Sequence, residues 1–476
     1  MANLLSSLRT SADSLGVYEK ALEVTQNNVA NASTPGYARQ QFAPVAQRFE
    51  PDRGLSGGVG AGPIQSARSQ FAERNVRRQS EGLGHASAGA ELLAGVEAAF
   101  PVSADSGIAG ALGRLLQSFS SWSVTPNDAN ARAAVLESAR GLAQSFQDTA
   151  TQLADASRLA EAELSGTVGQ INALAGQLRD SNAEIRRGGA HDAGLEARVY
   201  STLEQLSELV DITVRPEADG SVTVLAGGSV PLVIGDRQYP LQLRFAQPAG
   251  PAYPDGPAAA QILDAGGAGV TGQIAGGRLA GALEVRNQVI AGLAGDSSQP
   301  GSLNRLALAV ADGINGILAQ GLTADGTSPA DNLFVYDTGN GTAAARTLAV
   351  NPACGPGALA AVAPGPPYVS NGTALRLAGL GNPEDATTDG IGGASYLQFY
   401  SGLASQVGRL SAGAGLDKQM QAEFAAQARS LRSDIQAVSL DAEAISLVEY
   451  QRAYQAAAQM ISVLSDLTEV TVNLLR

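Results

Sequence analysis

The chain has little sulfur, imidazole or aromatic chemistry. It holds one cysteine, Cys354, so no internal disulfide is available. Two histidines, His85 and His191, sit in polar contexts with no cysteine or second histidine at ligand spacing, so no structural zinc site is expected and both read as surface residues. Aromatic residues make up 5% of the chain, and the one tryptophan, Trp122, reads as core. Lys20 and Lys418 are the only lysines. No apolar run reaches the roughly 18 residues of a membrane-spanning helix, so no membrane span is expected. No basic segment precedes an unbroken apolar core near Met1, so no Sec-type signal peptide is expected. A net charge of −14 and a pI near 4.7 argue against nucleic acid as a partner. GxSxG, HExxH and P-loop patterns are missing. Gly267, Gly269 and Gly272 fit GxGxxG, but neither a long strand before them nor a helix directly after them is evident. No catalytic residue, cofactor or metal is therefore expected, and the chain does not read as an enzyme.

What is present is alanine, leucine and valine, within a hydrophobic fraction of 44%, which suits long smooth helices. A length of 476 residues implies two to four domains. The 56 glycines cluster in the middle, where turns and β structure are expected. Residues 1–100 carry nine basic and nine acidic side chains, so the acidic excess lies downstream.

Residues 21–40, ALEVTQNNVANASTPGYARQ, organise the rest. Leu5, Leu8, Ala12, Leu15, Leu22 and Val29 recur at the spacings of a helix that pairs with other helices. Asn31-Ala32-Ser33-Thr34-Pro35-Gly36-Tyr37 then stops it. Pro35 disfavours the α conformation at Thr34, and Pro-Gly at the centre of a turn suits type II. Asn27, Asn28 and Asn31 either bond a neighbouring subunit or satisfy free carbonyls at the helix end. Residues 38–60 read as loop or irregular extended chain.

Helix is expected again over 64–100, from near Gly107 to Trp122, and from Pro126 to about Arg187, with Thr125 as N-cap and a break near Gly166 or Gly169. One more helix covers 193–209. At Val210 the period changes to two. Short strands follow around Ile212, Val222, Val230 and Leu241, joined at Asp219-Gly220 and Gly227-Gly228, and then a Pro/Gly-rich loop at 248–258. Residues 277–320 are helical. Within 321–393, Leu333–Tyr336 and Ala374–Leu377 read as strand fragments that complete the β region begun at 210. Residues 395–476 are helical almost throughout, with Asp441 and Glu443 complementing a helix dipole. Leu447, Tyr450, Tyr454, Ala457, Ile461 and Leu464 form one apolar stripe there. Met460, Val463, Leu467, Val470 and Leu474 form a second beside it, a face too wide for one partner helix.

The fold class is thus mainly α with an inserted β domain. Paired N- and C-terminal coiled-coil-like helices, 1–60 with 435–476, form an inner core. Residues 61–209, 277–320 and 395–434 form a long helical bundle, and 210–276 with 321–394 a small outer β-rich domain. The assembly interface is expected at Leu5, Leu8, Leu15, Leu22, Asn28, Val29, Asn31, Thr34, Pro35, Gly36, Tyr37, Leu447, Tyr450, Tyr454, Ile461, Leu464 and Leu467.

ANASTPGY near one end together with EYQRAYQAAAQMIS near the other resembles the bacterial flagellar axial proteins. The middle blocks GALGRLLQSFSSWSVTPNDANARAAVLESARGLAQSF, INALAGQLRDSNAEIRRGG and LAGALEVRNQVIAGLAGDSSQPGSLNRLALAVADGINGILAQGL resemble the flagellar hook-associated protein 1 family. Residues 248–276 and 351–393 have no clear match. The resemblance implies a structural protein that assembles with itself as a ring at the distal end of the hook. It implies hook protein, a second hook–filament junction protein and an export chaperone at the C-terminal region as partners. It further implies type III export from the cytoplasm to the extracellular flagellum, and terminal segments that order only on assembly. Another axial protein of hook or rod type is the nearest alternative; a secreted enzyme carried on flagellar termini is the other.

Overall fold

The computed structural model describes residues 2–50, 55–101, 103, 105–189, 192–381 and 391–474. Helix α1, Ala2–Ala30, comes first. The chain then folds back as a β ribbon in three short ladders: β1 (Gln40–Phe42) pairs antiparallel with β6 (Ile64–Ser66), β2 (Val45–Ala46) with β5 (Val59–Gly60), and β3 (Phe49–Glu50) with β4 (Leu55–Ser56). The described part of the segment expected as irregular chain, 38–50 and 55–60, is therefore an arm of strands too short for periodicity to register.

Helix α2, Gln70–Ala98, is capped by the Ser69 hydroxyl accepting from the Ala72 amide. Helix α3 spans Gly107–Val124 and α4 spans Ala129–Glu184. The N-cap of α4 is Asp128, whose side chain accepts from the Asn130 amide, and not Thr125. Pro126 lies outside the helix, and its carbonyl accepts from the buried Trp122 indole at 3.2 Å. Helix α4 runs 56 residues, about 84 Å at 1.5 Å per residue, without the expected break. Gly166 and Gly169 face open space. The helix ends in a π turn at 185–189, and α5 follows over Ala193–Leu209. His191 lies outside the described residues.

Strands β7 (Ile212–Pro216), β8 (Val222–Ala226), β9 (Val230–Ile234) and β10 (Arg237–Gln238) form an antiparallel sheet in the order β10-β9-β8-β7. A separate hairpin pairs β11 (Gln242–Ala246) with β12 (Ala259–Leu263) across the expected loop. Then come α6 (Gly277–Glu284), a π turn, α7 (Ala291–Ala294) and α8 (Ser302–Ala319). Strand β13 (Phe334–Val335), helix α9 (Ala344–Thr347), strand β14 (Ala349–Val350) and helix α10 (Gly372–Gly379) lead to the final long helices, α11 (Tyr396–Gln436) and α12 (Leu440–Leu474).

Two large cores sit on either side of the midpoint of α4. The first joins Val135–Leu153 of α4 to α3, α8, α10 and the start of α11, with Trp122, Phe119, Phe146 and Tyr400 at its centre. The second joins Leu164–Leu178 to α5, α6 and the inner faces of β8, β9 and β12. Two expectations fail here. Ala374–Leu377 is helix, because Ala374 and Leu377 are the buried pair, one helical turn apart, while Leu375 points outward. Among the described residues strands β13 and β14 pair only with each other, and Phe334 with the flanking Leu333 and Leu348 is buried in the first core, so they do not extend the sheet begun at 210.

Candidate assembly interface

The two ends of the chain meet. Helices α1 and α12 pack together, and the ribbon lies along α1. On α1 the buried stripe is Val17, Ala21, Val24 and Asn28; its three apolar members form with Phe42 a small third core that Val59 and Tyr450 pack against. Small side chains at those positions let the ribbon approach closely. The leucine line of the sequence lies on largely the opposite side of α1, at 3.6 residues per turn. Leu8, Leu15 and Leu22 are half-buried, Ala12 and Val29 are exposed, and Leu5 is 57% exposed.

On α12 the first stripe, Leu447, Tyr450, Tyr454, Ile461 and Leu464, is half-buried. The second stripe is open: Met460, Val463, Leu467 and Val470 are 49–56% exposed. The pair therefore presents two apolar lines that the chain itself leaves partly uncovered.

The turn between α1 and the ribbon is fixed by its own side chains. The Tyr37 amide donates to the Thr34 carbonyl at 3.1 Å, and Gly36 adopts φ +78°, the type II geometry that Pro35-Gly36 favours. Asn28 is 1% exposed. Its Oδ1 accepts from Tyr37 Oη and from the Gln40 amide, both at 2.9 Å, and its Nδ2 donates to the Gln40 carbonyl at 2.9 Å. Asn27 Nδ2 donates to Tyr37 Oη, Asn31 Nδ2 to the Asn27 carbonyl, and Thr34 Oγ1 to Asn31 Oδ1. These asparagines close the turn within one chain. Thr34 and Pro35 are exposed. Burial, with the carboxylates of Glu443 and Glu196 nearby, pushes the Tyr37 phenol up to about 12.

One pair here escaped the sequence reading. Arg39 Nε donates to Glu443 Oε1 at 2.6 Å, and the Glu443 side chain is 2% exposed. Glu443 thus holds the chain after the turn against α12 and does more than face a helix dipole. The sign in the sequence was an arginine two residues after the turn motif. Of the other candidates, His85 lies 3.2 Å from Glu284 on the surface. The 264–269 turn has its Gly266 and Ala268 amides taken by Asp264 Oδ1, and a short 3₁₀ turn follows it at 271–273. Among the described residues no three histidine, cysteine or acidic side chains converge as metal ligands, and no helix is long and apolar enough to cross a membrane.

Comparison with known proteins agrees along the chain. The flagellar hook-associated protein FlgK helical domain matches residues 93–334, and the flagellar basal body rod FlgEFG protein C-terminal domain matches residues 435–474. Flagellar hook-associated protein 1 of Bacillus subtilis is 26% identical over 520 residues, covering 99% of both chains. That of Salmonella typhimurium is 26% identical over 339 residues, covering 69% of this chain and 59% of its own. In fold, the chain resembles the flagellar hook junction protein FlgK from Burkholderia pseudomallei, with a TM-score of 0.63 at 15% identity over 78% of this chain and all of that one.

Proposed function

We propose that this chain, which belongs to the family of the flagellar hook-associated protein FlgK and is a structural component of the flagellum, forms a self-assembled ring at the distal end of the hook. Hook protein lies on one side of that ring and a second junction protein on the other. The subunit reaches this place outside the cell by type III export, escorted by a chaperone at its C-terminal region. In this reading residues 1–60 and 435–476 line the axis. The helical body stands outside them and carries the 212–238 sheet on its flank. The role is architectural, and no step of it requires catalysis.

The observation that carries the reading is the half-covered terminal helix pair, with the leucine line on α1 and Met460, Val463, Leu467 and Val470 on α12. Covering each such side chain contributes roughly 1.5–3 kcal/mol. Joining the ring costs each subunit its translational and rotational freedom, about 4–15 kcal/mol. With these terms close to balance, one neighbour is not enough, and assembly requires several at once.

Val463→Asp tests this, because it places a charge on an open position of α12. The expected result is an unchanged circular dichroism spectrum and melting curve for the soluble chain, with loss of incorporation into flagella. Normal filaments in a strain that carries only this variant would overturn the reading.

A further inference from the structure

Both crossings between the terminal helix pair and the helical body pass through one buried polar cluster. The first crossing is 67–69, between the ribbon and α2, and the Ala67 amide donating to the Arg39 carbonyl at 2.8 Å sets it beside the 36–39 segment that follows the turn. The second is 436–443, where α11 gives way to α12. Arg68, just before α2, has a side chain 2% exposed and contacts both sides. Its Nη2 donates to the Gly36 carbonyl at 2.7 Å, its Nη1 to Glu73 Oε1 at 2.5 Å and its Nε to Glu196 Oε1 of α5 at 2.8 Å. Its guanidinium also stacks 3.9 Å from the Tyr200 ring centroid.

Glu73 binds the second crossing through Gln436, the last residue of α11. Gln436 Nε2 donates to Glu73 Oε1 at 2.7 Å, and its Oε1 accepts from the Ser69 amide at 3.1 Å. The Gln436 carbonyl accepts from the Arg39 amide at 2.9 Å, which ties the second crossing to the 36–39 segment. Arg432, one turn earlier on α11, bridges Glu73 and Glu204 of α5. The turn itself is pressed onto α5, since a Cβ at residue 36 would lie 2.4 Å from the Ala197 carbonyl oxygen.

We propose that this cluster is a joint that sets the angle between the terminal helix pair and the helical body, with Glu73 as its positioning residue. Thr34-Pro35-Gly36-Tyr37 acts within the subunit as the seat of that joint, with Gly36 and Tyr37 facing its own α5 and α12. A charged hydrogen-bonded network is directional, so it holds one orientation where an apolar contact would tolerate sliding. The proposal goes beyond the ring assignment and stands whatever partners the terminal pair binds.

The test uses the full chain with Cys354→Ser and spin labels at Gln170→Cys on α4 and Gln455→Cys on α12, both exposed positions. The distance distribution between the labels is measured for this parent, for Glu73→Gln and for Gly36→Val, the last approaching the joint from the turn side. The joint requires one narrow distance in the parent and a shifted or broadened one in both variants. Amide exchange at 37–40 and 437–443 should accelerate about tenfold or more, as loss of a charged hydrogen bond implies. Peptides from α3 and α4 should keep their protection. Distances unchanged in either folded variant would overturn the joint, as would a broad distribution in the parent. Loss of protection throughout α3 and α4 in both variants would overturn it too, by making these folding residues.

Discussion

Asn28 shows how much one side chain decides here. It occupies a position on the buried face of α1 where any apolar residue would fit the helical pattern, yet it accepts two hydrogen bonds and donates a third across the turn. Asn28→Ala leaves the Gln40 amide and Tyr37 hydroxyl without this partner, at a cost of about 1–3 kcal/mol. The expected outcome is faster amide exchange over 24–42 with the helical body unaffected. Phenols give a second handle. Burial pushes Tyr37, Tyr336, Tyr396 and Tyr400 up to about 12, from an ordinary 10.0, and Glu443 and Glu196 add to the shift at Tyr37. The folded chain therefore holds protons that the unfolded chain releases between 10.0 and about 12. Stability is fully present below that window and falls as pH rises through it. Denaturant midpoints should drop across the window, and the phenolate absorbance of part of the eleven tyrosines should rise late. Arginines act at the other end of the scale. Although burial opposes ionisation of Glu204, Arg429 and Arg432 hold its carboxyl below the usual range. That contribution is lost as pH falls through the lowered value. The turn at Pro35-Gly36 was legible in the sequence because proline and glycine restrict the backbone locally. Its partners on α5 and α12 were not, since nothing in a local pattern reports residues 160 or 400 positions away.

At the scale of elements, α4 was legible as a helix but not as an unbroken one. Gly166 and Gly169 each cost roughly 1 kcal/mol relative to alanine in a helix interior. Leu164, Val168, Ile171 and Leu178 are buried around them in the second core, and that burial outweighs the propensity. Gly169 faces open space, so Gly169→Ala should stabilise the protein by about 0.5–1 kcal/mol, read as a higher denaturant midpoint. On α1 the periodicity identified the helix correctly, while the face it buries is the one with smaller side chains. Leucine spacing reports apolar character; only the position of the ribbon tells which apolar face is covered inside the subunit. The strand-like reading of Ala374–Leu377 failed for a related reason. Four residues satisfy a period of two and one helical turn equally well.

For the whole molecule, the mainly helical architecture with its long bundle and paired ends was readable from the period changes at 210 and 277 and from the two terminal stripes. The way 334–350 joins the helical core was not, because two-residue strands carry no pattern. The pairing of α1 with α12 has one more consequence, in time. These helices touch across more than 400 residues of sequence. During synthesis α1 is made long before α12 and waits without its helical partner until α12 appears. The two central cores draw on nearer neighbours and need not wait for it. Such long-range closure is slow to form and carries a large loop entropy. The α1–α12 pair is thus the last part of the fold to close and the first part open to a competing partner, so the chain spends its early life with those two helices still unclaimed.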